Sequence, residues 1–121
     1  MVKGIGTDII EIERIEKAMI KRDNFIKRMF TEKERVMFQS RNNKVETVAG
    51  NFAAKEAVSK ALGTGIIFDW KDIEVLRDDL GKPIVVLHGK AKDIYEDQKC
   101  SNLQLSIAHN KSHAIANCLI E

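Results

Sequence analysis

Residues 47–65 read TVAGNFAAKEAVSKALGTG, and this stretch predicts the longest helix of the chain, Thr47 to Leu62. Its five alanines favour helix intrinsically, and their small side chains allow a neighbouring element to pack closely. We expect Gly63 to end the helix, because glycine adopts the left-handed C-cap conformation at little cost. Gly63-Thr64-Gly65 then forms a flexible loop with few side-chain atoms.

The N-terminal segment predicts a strand from Val2 to Ile10. By the period of two, Ile5, Thr7 and Ile9 share one face, and Gly4, Gly6 and Asp8 share the other. The two glycines leave that second face bare, so a ligand or another backbone can approach it closely. Asp8 would lie at the end of this bare face.

The remaining segments predict short helices and antiparallel hairpins. Thr31 and Glu34 form a capping box that starts a helix. The other expected elements are a helix over Glu11–Lys21, a hairpin of Ile73–Leu76 with Ile84–Leu87, a short helix over Gly89–Asp97, and a hairpin of Leu103–His109 with Ala114–Ile120. This order favours an α+β fold, with a small, mainly antiparallel sheet packed on the long helix, in one domain over 1–121. The last strand is apolar on both faces, which indicates a central position or a subunit contact.

Composition describes an ordinary globular domain. The 121 residues are 44% hydrophobic and 31% charged, with a net charge of +2, which does not by itself indicate nucleic acid binding. No leader segment is visible, and the apolar run Ile84–Leu87 is too short to cross a bilayer. The two cysteines lack metal-type spacing, so we expect reduced thiols and a cytoplasmic location.

Three charged residues are candidates for chemistry. Glu56 and Lys60, four apart on one helix face, form either a surface ion pair worth about 0.2–0.5 kcal/mol or part of a cation and phosphate site near the glycine loop. Asp8 is either the N-cap of the following helix or a second carboxylate. Two carboxylates from separate elements suit magnesium, which takes few protein ligands and completes its shell with water and phosphate oxygens.

The histidines give a weaker signal. His109 and His113 are four apart, but their segment predicts a hairpin and no third ligand is evident, so we do not expect a zinc site. His109, at a strand end, could contact a phosphate or another polar ligand group. The chain contains neither a glycine-rich nucleotide motif nor a nucleophile elbow.

Taken together, the motifs resemble those of the holo-acyl-carrier-protein synthases, and the likeness covers essentially the whole chain. The motifs are, in order, Gly4-Ile5-Gly6-Thr7-Asp8, Arg14, Phe30-Thr31-x-x-Glu34, Phe52-Ala53-Ala54-Lys55-Glu56-Ala57-x-x-Lys60-Ala61-x-Gly63-Thr64-Gly65, Gly81-Lys82-Pro83 and Ser106-Ile107-Ala108-His109. The resemblance implies the 4′-phosphopantetheinyl transferase fold. It also implies transfer of 4′-phosphopantetheine from coenzyme A to a serine of apo acyl carrier protein, with release of adenosine 3′,5′-bisphosphate, in fatty acid biosynthesis.

The same resemblance implies site residues. Asp8 and Glu56 would hold Mg²⁺, and Lys60 would join them in catalysis and contact coenzyme A phosphates. Coenzyme A would also meet Gly63, Thr64, Gly65, Gly81, Lys82, Pro83 and His109. The acidic carrier protein would bind the basic first helix through Arg14, Lys17, Lys21 and Arg22, with Phe25 adding an apolar contact. A homotrimer with active sites between subunits is implied, with no nucleic acid or membrane partner.

Two positions depart from the family pattern. Ala108 stands where relatives often carry a hydroxyl, and Ile10 stands where the larger surfactin-type relatives carry a second acid. Two other functions remain open from the residues alone. One is a non-enzymatic nucleic-acid-binding domain that uses the basic segment, and the other is a structural subunit in which Glu56 and Lys60 tie helices together. Magnesium-dependent binding of coenzyme A would separate the enzyme from both.

Overall fold

A computed structural model describes all 121 residues as five helices, five strands and one short 3-10 turn at Trp70–Asp72. The helices are α1 (Ile12–Lys21), α2 (Phe25–Met29), α3 (Glu32–Ser40), α4 (Val45–Leu62) and α5 (Gly89–Asp97). The strands are β1 (Gly4–Glu11), β2 (Ile73–Arg77), β3 (Pro83–Leu87), β4 (Leu103–His109) and β5 (His113–Ile120). The predicted α+β class is confirmed. None of the helices combines the length and the hydropathy that a membrane crossing needs.

The strands form two small sheets, and every pairing is antiparallel. One sheet has the order β1-β5-β4, and β2 and β3 form a separate hairpin. The central position expected for the last strand is therefore confirmed, since β5 pairs on both sides. Asp8 and Ile107 both lie opposite Ala116, one on each neighbouring strand. β1 and β4 are consequently the two edges of the larger sheet.

Helix α4 lies across one face of this sheet, and the bare side of β1 is where it comes closest. A Cβ atom added to Gly6 would lie 2.7 Å from the backbone nitrogen of Ala61 and would overlap the carbonyl oxygen of Ala57. One added to Gly4 would overlap the carbonyl oxygen of Ala61. The glycine face of the strand is thus covered by the backbone of the alanine-rich helix. This close packing fixes the side chains of α4 relative to Asp8.

A buried ion pair joins α4 to α3. The Nζ atom of Lys55 lies 2.8 Å from Oε1 of Glu34, and both side chains are fully buried. Lys55 also donates to the carbonyl oxygens of Trp70 and Ile73. Glu34 completes the predicted capping box, because its carboxylate accepts from the Thr31 backbone at 3.0 Å while the Thr31 hydroxyl accepts from the Glu34 backbone at 3.2 Å.

The element boundaries differ slightly from those expected. β1 begins at Gly4 rather than Val2, and α4 begins at Val45 rather than Thr47. Helix α2 was not predicted, because its five residues are too few to show a period and its N-cap has no side-chain hydrogen bond. That N-cap is Asn24, in the left-handed conformation with φ of 66°. The segment therefore turns sharply between α1 and α2.

Candidate active site

The structure brings Asp8, Glu56 and Lys60 together beside the β1 edge of the larger sheet. The Nζ atom of Lys60 lies 3.2 Å from Oδ1 of Asp8 and donates to the carbonyl oxygen of Thr7 at 3.0 Å. The ion pair of Lys60 is therefore with the strand carboxylate, and the expected surface pair with Glu56 does not form. The N-cap alternative for Asp8 is also wrong, since Glu11 occupies that position.

Glu56 is the partly buried carboxylate of this cluster. Burial raises the pKa of its carboxyl above the ordinary value, the neighbouring charge of Asp8 raises it further, and Lys60 offsets part of the shift. The two carboxylates are thus close enough to repel each other. A cation placed between them would remove that repulsion.

The oxygen donors of this cluster fit magnesium. No group of three or more His, Cys, Asp and Glu side chains converges anywhere in the chain, so Asp8 and Glu56 are the protein carboxylates available here. Magnesium commonly accepts one or two carboxylates and keeps its remaining positions for water and substrate phosphate oxygens. The donor set therefore fits this ion.

The glycine loop follows the cluster along α4. Gly63 ends the helix in the left-handed conformation, with φ of 86°, as predicted. Gly65 also has a positive φ, 66°, and the Thr64 hydroxyl donates to its carbonyl oxygen at 2.8 Å. The loop thus lies just beyond Lys60, where an extended phosphate ligand could pass from one to the other.

The other residues expected at coenzyme A lie at or beside β4, the opposite edge of the larger sheet. Lys82 and Pro83 line a cleft beside Leu103 and Leu105 of β4, and His109 is exposed at the end of β4. Two strand spacings, about 10 Å, separate the lines of β1 and β4. Within a single chain, the Gly81-Lys82-Pro83 turn and His109 thus lie about two strand spacings or more from the strand that carries Asp8.

A basic groove of about 510 Å³ opens between α1, α2 and the N-terminal half of α4. It contains all five residues expected to bind a partner protein: Arg14, Lys17, Lys21, Arg22 and Phe25. Arg28 adds a further cation, and Asp23 is the single acid in the lining. Phe52 and Trp70 lie in the same lining with their rings stacked, 5.0 Å apart between centroids. Sequence reasoning did not identify Trp70, because nothing in its local pattern shows that it meets Phe52.

The basic groove adjoins the carboxylate cluster. Ile10, which lines the groove, lies two residues after Asp8 on the same face of β1. Phe52 lies one helical turn before Glu56 on the same side of α4. The separation of Asp8 from Ile10 along β1 and that of Phe52 from Glu56 along α4 are each about 6 Å. A molecule bound in the groove can therefore place a side chain at the carboxylates.

Comparison with known proteins assigns the chain to one family. The sequence pattern described as "4'-phosphopantetheinyl transferase superfamily" matches residues 4–118. The chain belongs to this superfamily. Within it, the chain is 52% identical over 120 residues to the holo-[acyl-carrier-protein] synthase of Alkaliphilus oremlandii, with 98% of both chains covered. The resemblance predicted from the motifs is confirmed, and the chain is an enzyme of the transferase class.

Solved structures of bacterial synthases share the fold. The holo-[acyl-carrier-protein] synthase from Neisseria meningitidis superimposes with a TM-score of 0.89 at 34% identity, covering 100% of this chain and 99% of that one. The synthase from Bacillus anthracis, solved in complex with CoA (3′,5′-ADP), gives a TM-score of 0.80 at 43% identity, with 100% and 97% covered. Membership of this transferase family decides against the two non-enzymatic alternatives.

Proposed function

We propose that this transferase moves 4′-phosphopantetheine from coenzyme A to a serine of an apo acyl carrier protein, with Mg²⁺ as cofactor and adenosine 3′,5′-bisphosphate as the other product. The observation that carries the proposal is the position of the basic groove, whose lining residues Ile10 and Phe52 lie two residues after Asp8 and one helical turn before Glu56. The Bacillus anthracis relative, solved with coenzyme A, supports the donor. The names of the relatives support the acceptor, and we extend the proposal to a place in fatty acid biosynthesis in the cytoplasm. Both cysteines are free thiols, in keeping with that compartment.

The reaction joins a serine oxygen to phosphorus. The serine Oγ forms the new bond to the phosphorus that carries pantetheine, and the bond from that phosphorus to the bridging pyrophosphate oxygen breaks. The electron pair leaves with adenosine 3′,5′-bisphosphate, and the serine proton passes to a base. Phosphoryl transfer of this kind depends chiefly on positioning and on charge stabilisation.

The Asp8–Glu56–Lys60 cluster would provide both the positioning and the charge stabilisation that this transfer needs. Asp8 and Glu56 would hold Mg²⁺, which when bound neutralises charge on the pyrophosphate oxygens. The Lys60 ammonium is free to exchange its contact with Asp8 for a phosphate oxygen, since its side chain is half exposed. It would then offset the charge that grows on the leaving group. Glu56 is also a candidate to accept the serine proton, because burial and the charge of Asp8 raise the pKa of its carboxyl toward the working pH.

The rest of the coenzyme A site would come from a second copy of the chain in a homotrimer. Lys82, Pro83 and His109 lie at the β4 edge, about two strand spacings from β1, so in a homotrimer they would complete a site at the β1 edge of another subunit. The outer face of the larger sheet also favours self-association. Ile5 and Ile9 of β1 are 71% and 61% exposed, and a cleft of about 700 Å³ crosses the three strands beside Ile5.

The carrier protein would occupy the basic groove. Its lining has five cations against the single Asp23, so it favours a negatively charged partner. Lys17 is the one of these cations that already has an acidic partner, Glu13 at 3.1 Å, and that pair is exposed and weak. Electrostatic attraction along α1 would therefore guide the carrier serine toward Glu56.

Intact mass spectrometry of the acceptor tests the proposed function. The protein is incubated with an apo acyl carrier protein, coenzyme A and Mg²⁺, and a parallel sample contains a chelator. We expect the carrier protein to gain the mass of one phosphopantetheine group, and we expect the chelator to prevent this gain. A folded protein that binds coenzyme A but modifies none of several carrier proteins has a different acceptor. A protein that does not bind coenzyme A contradicts the proposal.

A further inference from the structure

The last carbonyl group of α4 has its hydrogen-bond partner on a distant element. The final carbonyl groups of any helix lack partners within the helix. In α4 the carbonyl oxygen of Lys60 accepts from the backbone nitrogen of Gly63 at 3.0 Å. The carbonyl oxygen of Leu62, the final residue of the helix, accepts from Nε2 of Gln98 at 2.8 Å. A side chain 36 positions further along the chain therefore closes the helix end from which the glycine loop begins.

The Gln98 side chain is oriented by contacts on three sides. Its backbone nitrogen donates to the carbonyl oxygen of Ile94 at 3.0 Å, at the end of α5. Its own carbonyl oxygen accepts from Nζ of Lys3 at 2.9 Å. The thiol of Cys100 donates to its Oε1 atom at 4.0 Å, so the nitrogen of the same amide faces Leu62. The donor is thus in place before any ligand binds.

The chain turns at an unfavourable residue directly after Gln98. Lys99 has the left-handed conformation, with φ of 58°, which glycine normally adopts at a helix end. The backbone nitrogen of Cys100 then donates to the carbonyl oxygen of Tyr95 at 3.1 Å and completes a Schellman motif. This turn stops α5 at Gln98, within reach of Leu62. A backbone conformation kept at a cost points to a use of the segment that it places.

We propose that Gln98 is a positioning residue for coenzyme A, because it fixes the point at which the Gly63-Thr64-Gly65 loop leaves α4. The inference rests on the proposed function, since the loop and Lys60 belong to the site proposed for coenzyme A. Glycine adopts many backbone conformations, so two glycines in three residues fix the course of the loop poorly by themselves. A loop that is held at its start loses less conformational entropy when a ligand binds, which increases affinity.

The charge of the helix end gives a second reason for this role. Carbonyl groups at the C-terminus of a helix carry partial negative charge, which opposes an anionic ligand. Lys60 lies in this last turn of α4, and its ammonium is the cation proposed to contact coenzyme A phosphates. The Gln98 amide donates to the final carbonyl and offsets part of the negative charge beside that cation. Loss of the bond therefore weakens phosphate binding as well as freeing the loop.

Hydrogen exchange and calorimetry of Gln98→Met give the first test. Methionine has a similar length but no donor, and Gln98 is exposed, so the substitution leaves the core unchanged. We expect faster amide exchange over residues 63–65 and a coenzyme A Kd, measured with Mg²⁺, about threefold to tenfold higher, as for the loss of one neutral hydrogen bond. Gln39→Met, at an exposed glutamine of α3, is the matched control and should change neither quantity. Faster exchange with an unchanged Kd, or a raised Kd with unchanged exchange, would overturn the proposal.

Steady-state kinetics separate positioning from a general loss of stability. Gln98→Met should raise the coenzyme A KM by the same factor and leave kcat and the carrier-protein KM unchanged, because Gln98 contacts the helix end and does not line the basic groove. Gln98→Asn, with an amide one methylene group shorter that does not reach Leu62, should behave in the same way. A wild-type coenzyme A KM, or a fall in kcat without a rise in that KM, would refute the role.

The outcomes distinguish this inference from the proposed function. If the wild-type protein does not bind coenzyme A, both are wrong. If it binds coenzyme A and both Gln98 variants keep the wild-type Kd, the positioning role alone is wrong. If both variants bind coenzyme A more weakly and no carrier protein is modified by the wild-type protein, the positioning role stands and the proposed acceptor is wrong. If Gln98→Met does not fold, Gln98→Asn decides by the same measurements.

Discussion

The Nζ atom of Lys60 lies 3.2 Å from Oδ1 of Asp8, so the cation four residues after Glu56 pairs with a strand carboxylate rather than with its neighbour on the helix. This contact follows from the close packing of α4 on the glycine face of β1, which brings the end of the Lys60 side chain to the strand. The cluster therefore depends on two elements that are far apart in sequence. Each of its members can be tested separately.

Removing either carboxylate should slow transfer. We expect Asp8→Asn and Glu56→Gln each to lower kcat by about 100- to 1000-fold at saturating Mg²⁺, because loss of one electrostatic stabiliser costs that much in other enzymes. Asp93→Asn and Glu96→Gln are matched controls on the exposed surface of α5 and should keep wild-type rates. The measurement is initial-rate transfer to the carrier protein. Near-normal turnover of Asp8→Asn or Glu56→Gln would remove that residue from the proposed metal site.

The site between subunits makes a complementation prediction. Asp8→Asn and His109→Ala affect opposite edges of the sheet, so in a trimer each variant spoils a different half of every site. We expect each variant alone to be nearly inactive and the co-expressed mixture to recover up to a third of the wild-type rate, because each mixed trimer has one of its three sites with both halves intact. The mixture is purified through a tag on one variant and assayed by carrier-protein mass. A mixture no more active than its components would place both residues in one subunit's site.

Charge reversal in the basic groove should weaken the carrier protein specifically. The double variant Lys21→Glu, Arg22→Glu should raise the carrier KM, flatten its dependence on salt and leave the coenzyme A KM unchanged. Lys90→Glu with Lys92→Glu, on the exposed surface of α5, supplies a control of the same net charge. Both double variants are assayed between low and physiological ionic strength. An equal rise of the carrier KM in the two double variants would show that the net charge of the protein, rather than the basic groove, determines carrier binding.

The sequence predicted those features whose cause is local or is repeated along one element. The alternation of glycine with apolar residues in β1 and the alanines of α4 indicated a close approach, and the structure shows that approach at Gly6 and Ala57. Trp70 could not be predicted as a groove residue, because its place in the lining depends on stacking against Phe52, which belongs to a different element. The burial of Lys55 and its pairing with Glu34 were not predicted, since α4 is apolar on most sides and a period cannot show which of two adjacent charges points inward.

The contact between β1 and α4 should tolerate no side chain at Gly6. We expect Gly6→Ala to lower the free energy of unfolding by about 3 kcal/mol, at the upper end of overpacking costs, because the new methyl group would meet backbone atoms of Ala57 and Ala61 rather than a movable side chain. Thr7→Ala, on the opposite and exposed face of the same strand, removes only one long hydrogen bond to the Ala116 carbonyl oxygen and should cost about 1 kcal/mol or less. Urea denaturation followed by circular dichroism measures both. A stable Gly6→Ala protein would show that α4 can move away from the strand.

The buried pair of Lys55 and Glu34 should behave differently from the exposed pair of Lys17 and Glu13. Burial lowers the pKa of Lys55, and the attraction of Glu34 opposes that shift, so each charge depends on the other. Lys55→Met leaves the Glu34 carboxylate buried without its cation, and we expect it to lower the free energy of unfolding by about 3–5 kcal/mol.

The double variant Lys55→Met, Glu34→Gln should lose less than the sum of the two single variants, because it leaves no unpaired buried charge. Lys17→Met and Glu13→Gln, which break an exposed pair, should each cost about 0.5 kcal/mol or less. Denaturant titrations of the four proteins of each cycle give the coupling energies. A coupling in the buried cycle as small as that in the exposed one would mean that the carbonyl oxygens of Trp70 and Ile73, rather than Glu34, stabilise the Lys55 charge.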